Sequence, residues 1–394
     1  MTEAVAPAVR PRILVLSFSE IQRDPRVLRQ IRLFSEFADV VTCGYGKAVE
    51  GAVEHFEVPR NLERLRTGSV SLGLLLGARF HERLYFDSER VKLVRRLVPA
   101  GSVDVVVAND ALAVPLAVAL RPRLGVHADL HEYAPRQGED KIVWRLLIGP
   151  MMKWACRKYV TKADSVTTVA KGIAEEYAKV YGIPEPGVVK NASPYDPRFS
   201  PTPVKLPLRL VHAGAAGRSR RIEVMMEAVK RANEIKPGTA TFDVVLVPGE
   251  QKYIDELTAL ADSIPNNAVR VLPPVSFDQI VPFLHGYDVG FYLCPPLNFN
   301  MRHALPNKLF EFVQARLALL IGPSTEMAGI VNQYGIGIVA EDFDAETSAK
   351  LLVAATAEEI AAMKQASHEN AEILGAANES IIWAKAVKKL SGIA

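Results

Sequence analysis

Cysteine is nearly missing from this chain of 394 residues: only Cys43, Cys156 and Cys294 occur, and no two stand in a C-x-x-C spacing. That excludes a disulfide framework and a zinc knuckle, and makes a reduced cytoplasm the default expectation. Long apolar runs are also lacking. Stretches such as 71–76 and 144–148 are broken by Arg, Gly or Pro, well short of the ~20 residues that a membrane span needs. Nor does one sign of charge dominate: 47 basic against 44 acidic residues leave a formal charge of +3, too balanced for a dedicated nucleic-acid binder. Residues 1–10, rich in Ala, Pro and Val, show no signal-peptide core and are expected to form a loose tail.

What is present is material for buried cores: 49% of residues are hydrophobic and 23% charged, and the length fits two domains of roughly 150–200 residues. Short β-branched runs alternate with segments of helical period, the pattern of parallel strands joined by crossover helices. Strands are expected at 12–16, 103–108, 124–128 and 165–169. A passage at 191–207 carries Pro194, Pro197, Pro201, Pro203 and Pro207; it resists helix and strand and predicts an interdomain linker with a boundary near 203. The pattern then restarts, with strands at 208–213, 242–247, 269–272, 288–293, 317–322 and 337–339 and helices at 222–235 and 253–261. Helical segments close the chain from 345 to about 390.

At the end of the 208–213 strand stands Gly214-Ala215-Ala216-Gly217, followed by Arg218, Arg220 and Arg221 at the mouth of a helix. Such a loop admits a phosphate: glycines let backbone N–H groups approach, the helix start is partly positive, and arginines supply charged forks. A tight turn with a solvated basic face explains the same residues. A second segment, Pro306-Asn307-Lys308-Leu309-Phe310-Glu311-Phe312, places Pro306 as the first residue of a helix. The amides of Lys308 and Leu309 would then point at a ligand, and Glu311, one turn in, would accept hydrogen bonds from a ribose diol. A plain helix cap with surface charges is the competing reading.

Asp24-Pro25-Arg26-Val27, Asp129-Leu130-His131-Glu132, the stretch 163–169 (ADSVTTV), the 214–221 loop and the 306–311 segment occur in one register. Together they resemble the GT-B glycosyltransferases, particularly family 4, over about 12–343. The resemblance implies an α/β fold of two Rossmann-like domains whose parallel sheets face an interdomain cleft. It implies a tail at 1–10, an acceptor-side domain at 11–202, a nucleotide-sugar domain at 203–375, and a C-terminal helix at 376–394 packing back on the N-terminal domain. Donor-side residues so implied are Gly214, Arg218, Arg220, Asn307, Lys308, Leu309 and Glu311, with Arg220 gripping the diphosphate and Glu311 on the ribose. His303 stands eight positions before Glu311, where many members carry a second glutamate, and Arg316 and Arg221 stand where glycine is common.

In the first half, His131 follows the 124–128 strand, and the resemblance places a histidine of this loop near the transferred sugar as the catalytic or sugar-contacting group. Asp129 and Glu132 flank it and can set its tautomer. Asp24, Arg26 and Glu132 are the acceptor-side candidates, although Asp24 as N-cap with Pro25 at the first helical position is a complete structural account. The stretch 141–162 holds six basic residues and no acidic one, interleaved with Trp144, Leu146, Leu147, Ile148, Met151, Met152 and Trp154. It is the candidate for peripheral contact with the inner face of an anionic membrane, extended by 72–76 and 92–96. A core-facing helix pair with a solvated basic side is the alternative.

The resemblance implies a retaining transferase using a UDP or GDP sugar, and the cations Arg218, Arg220 and Lys308 can take the place of a metal. The acceptor would be a glycan, a lipid-linked glycan or a protein, and no prosthetic group or nucleic acid is expected. The one Asp-x-Asp, Asp342-Phe343-Asp344, follows a late strand and is not assigned to a metal. A sugar-nucleotide epimerase of the same architecture and a non-catalytic partner subunit remain open. NAD chemistry fits poorly, since Arg218 follows Gly217 and Glu250 comes too late for the dinucleotide fingerprint.

Overall fold

A computed structural model of the chain describes residues 10–62, 76, 77 and 79–393. The expected tail, all but residue 10, and most of 72–76 fall outside that range. The chain divides into two compact units, the first comprising Met1–Val189, Asn298–Asn300 and Ser380–Ala394, the second Lys190–Leu297 and Met301–Glu379.

The first unit is built on a seven-stranded sheet in the order β3-β2-β1-β4-β5-β6-β7. Its strands are β1 (Arg12–Glu20), β2 (Asp39–Tyr45), β3 (Glu54–Glu57), β4 (Val105–Asn109), β5 (Gly125–Leu130), β6 (Ser165–Thr168) and β7 (Gly187–Val188). Every pairing is parallel, so both faces need helices, and the central strands read as nearly unbroken apolar runs. Ile13, Val15, Val105 and Val107 face one core with Val27, Ile31 and Phe34 of the helix Pro25–Ser35, and with Trp383 and Val387 of the C-terminal helix.

The second unit carries a six-stranded parallel sheet in the order β10-β9-β8-β11-β12-β13. Its strands are β8 (Leu208–Ala215), β9 (Ala240–Val247), β10 (Val269–Leu272), β11 (Val289–Tyr292), β12 (Ala318–Ile321) and β13 (Gly337–Val339). Its core joins Leu208, Leu210, Phe242, Val244 and Phe291 to Met225, Met226 and Val229 of the helix Ile222–Ile235. In each sheet the strand order reverses beside the first strand, between β1 and β4 and between β8 and β11. The crevice beyond the carboxyl ends at such a reversal is where open α/β sheets bind ligands.

The division falls after Val189, ahead of the boundary near 203 read from proline content. The proline-rich passage is tied to the second unit instead: Arg316 Nη2 donates to Asp196 O at 2.8 Å, Lys364 Nζ to Thr202 Oγ1 at 2.8 Å, and Ala376 N to Ser193 O at 3.0 Å. The helix Asn307–Gln314 begins one residue later than expected, with Pro306 as an extended N-cap at φ −70° and ψ 149°.

Candidate functional site

In the second unit, β8 runs out into Gly214 and Ala215, and a short turn at Arg218–Arg220 leads to the helix Ile222–Ile235. Beside it β11 ends at Tyr292, and Lys308 rises from the first turn of the helix Asn307–Gln314 and Glu311 from the second, both buried. Lys308 lies directly over Gly214: a Cβ built there would stand 2.7 Å from the Lys308 amine. A side chain at 214 would displace the Lys308 ammonium from this position. The same amine sits 5.4 Å from the centre of the Tyr292 ring.

Burial pushes the Lys308 ammonium down to about 8; Arg220 adds to that push, while Glu311 and Cys294 oppose it. Glu311 moves the opposite way, raised by burial and only partly held down by Lys308. Arg220, Lys308 and Glu311 therefore lie within one electrostatic neighbourhood. Among the described residues neither the half-buried Arg220 nor the buried Lys308 makes an ion pair, which leaves a cationic cluster short of negative charge. Removing a charge such as that of Lys308 from water without a partner is unfavourable, so the cluster is a candidate anion site.

Beneath the cluster His212 of β8 is wholly buried and stacks on Tyr292 at 5.8 Å with the rings 5° from parallel. Burial, reinforced by Lys308, pushes its imidazole down to about 3, so it is neutral. Its Nδ1–H donates to Phe291 O at 3.2 Å, and its Nε2 is a buried acceptor with no partner among the described residues. The sequence offered no pattern that singles out His212 or Tyr292; their role follows from β8 and β11 lying side by side.

Other donor-side candidates are placed differently. Arg218 turns away, its Nε donating to Glu250 at 2.9 Å and its Nη2 to Glu256 at 2.7 Å, with the guanidinium 5.0 Å above the Tyr253 ring. Those two carboxylates satisfy it, so it is not part of the cationic cluster. Leu309 does not present its amide outward, because its N–H donates to Pro306 O at 3.1 Å. Asn307 is exposed at the start of the helix. His303 is half-buried with Nδ1 3.3 Å from Glu326 Oε1. Arg221 and Arg316 adopt left-handed backbone, φ +49° and +62°, which is the physical reason glycine suits those two positions.

The first unit holds a cavity of about 210 Å³ at the carboxyl ends of β1, β4 and β5, lined among others by Asp24, Arg90, Asn109, Asp110, Glu132 and Met152. Asp24 is the N-cap of the helix Pro25–Ser35, accepting from the amides of Arg26 and Val27 at 3.2 Å, and it also accepts from Ser19 Oγ at 2.7 Å. Arg26, expected on the acceptor side, is turned into the core. Its Nε and Nη2 grip the two oxygens of Asp129 at 2.7 Å, and its Nη1 donates to Val189 O at 2.7 Å. A buried carboxylate on β5 needs that fork, and the fork leaves Arg26 no face toward the cavity.

His131 hangs at the end of β5 beside the cavity. Asp129 accepts from Gln30, Gln30 accepts from Asn109, and Asn109 Oδ1 faces His131 Nε2 at 3.1 Å. That chain makes Nε2 the protonated nitrogen and leaves Nδ1 toward Asp110, 3.7 Å away. Burial works to lower the imidazole, but Asp110 and Asp129 outweigh it and hold it above its ordinary value. Glu132 is pushed up to about 7 by burial and by Asp110. Asp110 itself adopts a left-handed backbone at φ +69°, a strained conformation for a residue with a side chain that is concentrated at functional sites. Asp110, Asn109 and Arg90 were not singled out by the sequence; for Asn109 and Asp110 the available signal was their place at the end of the 103–108 strand, and Arg90 had none.

Among the described residues no group of three or more His, Cys, Asp or Glu side chains is arranged to hold a metal ion. Asp342 caps its own loop, accepting from Asp344 N at 2.9 Å and Thr347 Oγ1 at 2.9 Å.

No protein-family model matches the chain, and no curated protein sequence matches it. Solved structures do. An α,α-trehalose 6-phosphate synthase from Burkholderia multivorans superposes with a TM-score of 0.69 at 12% identity, covering 98% of this chain and 99% of that one. The Anabaena protein HepE in complex with UDP-glucose gives 0.67 at 12% identity, over 98% and 100%. A glycosyltransferase from Rickettsia africae gives 0.67 at 12% identity, over 97% and 98%. The chain thus has the two-sheet α/β fold of the GT-B glycosyltransferases.

Proposed function

We propose that this chain is a glycosyltransferase that moves a sugar from a nucleoside diphosphate sugar to a hydroxyl of a glycan, glycolipid or glycoprotein, with retention at the anomeric carbon and without a metal ion. The observation that carries the reading is the pairing of a buried cation, Lys308, with the half-buried Arg220 at the β8/β11 reversal, with Glu311 one turn further along the helix. A diphosphate supplies the negative charge that this cluster lacks, and Glu311 accepts from the ribose hydroxyls. Uridine is the preferred base, supported by the UDP-glucose bound to the Anabaena protein of like fold.

In this reading the bond from the anomeric carbon to the diphosphate oxygen breaks while the acceptor oxygen forms the new bond on the same face. The acceptor proton passes to the departing phosphate oxygen. Arg220 and Lys308 stabilise the charge growing on that leaving group, the task that a divalent ion performs elsewhere. The cavity lined by Asp110 and Glu132 in the first unit holds the acceptor, and His131, its Nε2–H directed at Asn109, accepts a hydrogen bond from a sugar hydroxyl at Nδ1.

The test is a melting and turnover screen with UDP, GDP and their sugars. A nucleotide at a hundredfold excess over its dissociation constant stabilises the folded protein by about 2.7 kcal/mol, a readily measured shift. Product analysis then separates transfer from epimerisation, which needs no acceptor. If no nucleotide raises the melting temperature, the reading fails.

A further inference from the structure

The helical segment from Ile142 to Lys158 has two unlike sides. Gly149, Met151, Met152, Ala155 and Cys156 are buried. The opposite side carries Leu146, Pro150, Lys153 and Arg157 at successive steps of three or four, with Trp154 and Lys158 beside them. The segment 141–162 contains no acidic residue at all. A π turn at Trp144–Ile148, closed by Gly149 N–H on Trp144 O, runs directly into the helix Gly149–Lys158, so Pro150 with its missing amide sits at the junction of the two.

Against this side opens a groove of about 660 Å³, lined by Arg79, Lys153, Arg157 and Lys158 together with Trp154 and Pro150. His81 also lines it, but burial, with help from Arg79, lowers its imidazole toward the neutral form. The acidic neighbour is Glu82, which is bridged to Lys158. Trp154 is fixed from behind by Tyr85 at 5.8 Å and Tyr159 at 5.2 Å. At one end of the segment Ile142, Val143 and Leu146 are 64%, 68% and 67% exposed, and Phe80, next to Arg79, is 56% exposed. Large apolar side chains left in water beside a cluster of cations are unexplained by folding within the unit.

We propose that this face of the first unit rests on an anionic phospholipid bilayer. The cations of the groove meet the phosphate plane, Trp154 sits at headgroup depth, and Ile142, Val143 and Leu146 enter the acyl boundary. Charge and apolarity together select this occupant. Nucleic acid would pair the cations but leave the aliphatic side chains in water. No helix among the described residues is long and apolar enough to cross a membrane, so the association is peripheral. It does not depend on the transfer reading.

Co-sedimentation of the full chain with vesicles tests it. The chain should bind vesicles containing about a third phosphatidylglycerol at least tenfold more than pure phosphatidylcholine vesicles, and high salt should erase the difference. The paired variant Lys153→Glu/Arg157→Glu should lose that binding, and Val143→Ser/Leu146→Ser should weaken it severalfold. All four positions are exposed, and an unchanged melting temperature confirms that each variant is folded. Equal binding to both vesicle types, no binding by the folded parent chain, retention by the Glu variants, or displacement by a duplex oligonucleotide at lower concentration than anionic vesicles would each overturn the proposal. Nucleotide-induced stabilisation, measured on the same preparations, reports separately on the transfer reading.

Discussion

The two sheets reverse their strand order in the same way, yet they treat buried charge in opposite ways where they do so. Behind the first reversal, Asp129 is saturated: Arg26, Gln30, Thr167 and Trp383 all donate to it, and the chain of hydrogen bonds continues through Asn109 to His131. At the second, Lys308 and Arg220 are brought together with only Glu311 nearby, itself held toward its neutral form, and His212 keeps an unused acceptor beneath them. The first arrangement holds a fold and a histidine in place. The second is unfavourable until something anionic arrives. One architecture thus carries a structural network in one unit and the proposed binding site in the other, and the difference lies in a few loop and strand-end residues.

The largest expected effect breaks the saturated network. Asp129→Asn leaves the Arg26 guanidinium buried without its counter-charge, and should cost about 3–5 kcal/mol by denaturant unfolding. A loss near zero would mean that Arg26 finds water, and that the contrast between the units is wrong.

Next comes the unsatisfied cluster. Lys308→Met and Arg220→Ala should each weaken UDP binding roughly ten- to a hundredfold, the size of a charge-assisted hydrogen bond of about 1.5–3 kcal/mol. Lys308→Met should at the same time raise the melting temperature. The ammonium is pushed down to about 8 in the folded chain, so near neutrality folding is penalised by the charged form, and removing the charge relieves that penalty. A variant that loses both stability and nucleotide would make Lys308 a structural residue.

The same shift gives a pH dependence. A diphosphate favours the protonated amine, so affinity should be full below about 8, where Lys308 is charged, and should fall as pH rises beyond it. Calorimetric titrations across that range should lose this dependence in Lys308→Met. A flat profile in the parent chain would place the diphosphate elsewhere. The smallest effect belongs to Arg218, already held by Glu250 and Glu256: Arg218→Ala should change nucleotide affinity less than about twofold, since exposed ion pairs contribute little.

Much of this architecture is written locally. The apolar runs of β1, β4, β8 and β9 announce a buried parallel sheet, and Asp24-Pro25 announces a helix start. β2 escaped because Thr42, Cys43 and Gly44 interrupt its apolar character, and β3 and β7 because they are short edge strands. The partnership of Arg26 with Asp129 spans 103 residues, and that of Trp383 with Asp129 spans 254. No periodicity encodes such pairings, so Arg26 reads from sequence as an acceptor-side residue. In the second unit the spacing of Lys308 and Glu311 on one helix was legible, whereas the burial of His212 and the capture of Arg218 by Glu250 and Glu256 depend on neighbours brought in by the fold.

The β8/β11 reversal of the second unit is proposed to receive a nucleoside diphosphate on Arg220 and Lys308. Calorimetric titration of UDP-glucose into the full chain, into Lys308→Met and into Arg220→Ala measures it directly. Saturable binding by the parent chain, reduced at least tenfold in both variants while each stays folded, is the predicted result. Absent binding to the parent chain, or equal affinity in all three proteins, would contradict it.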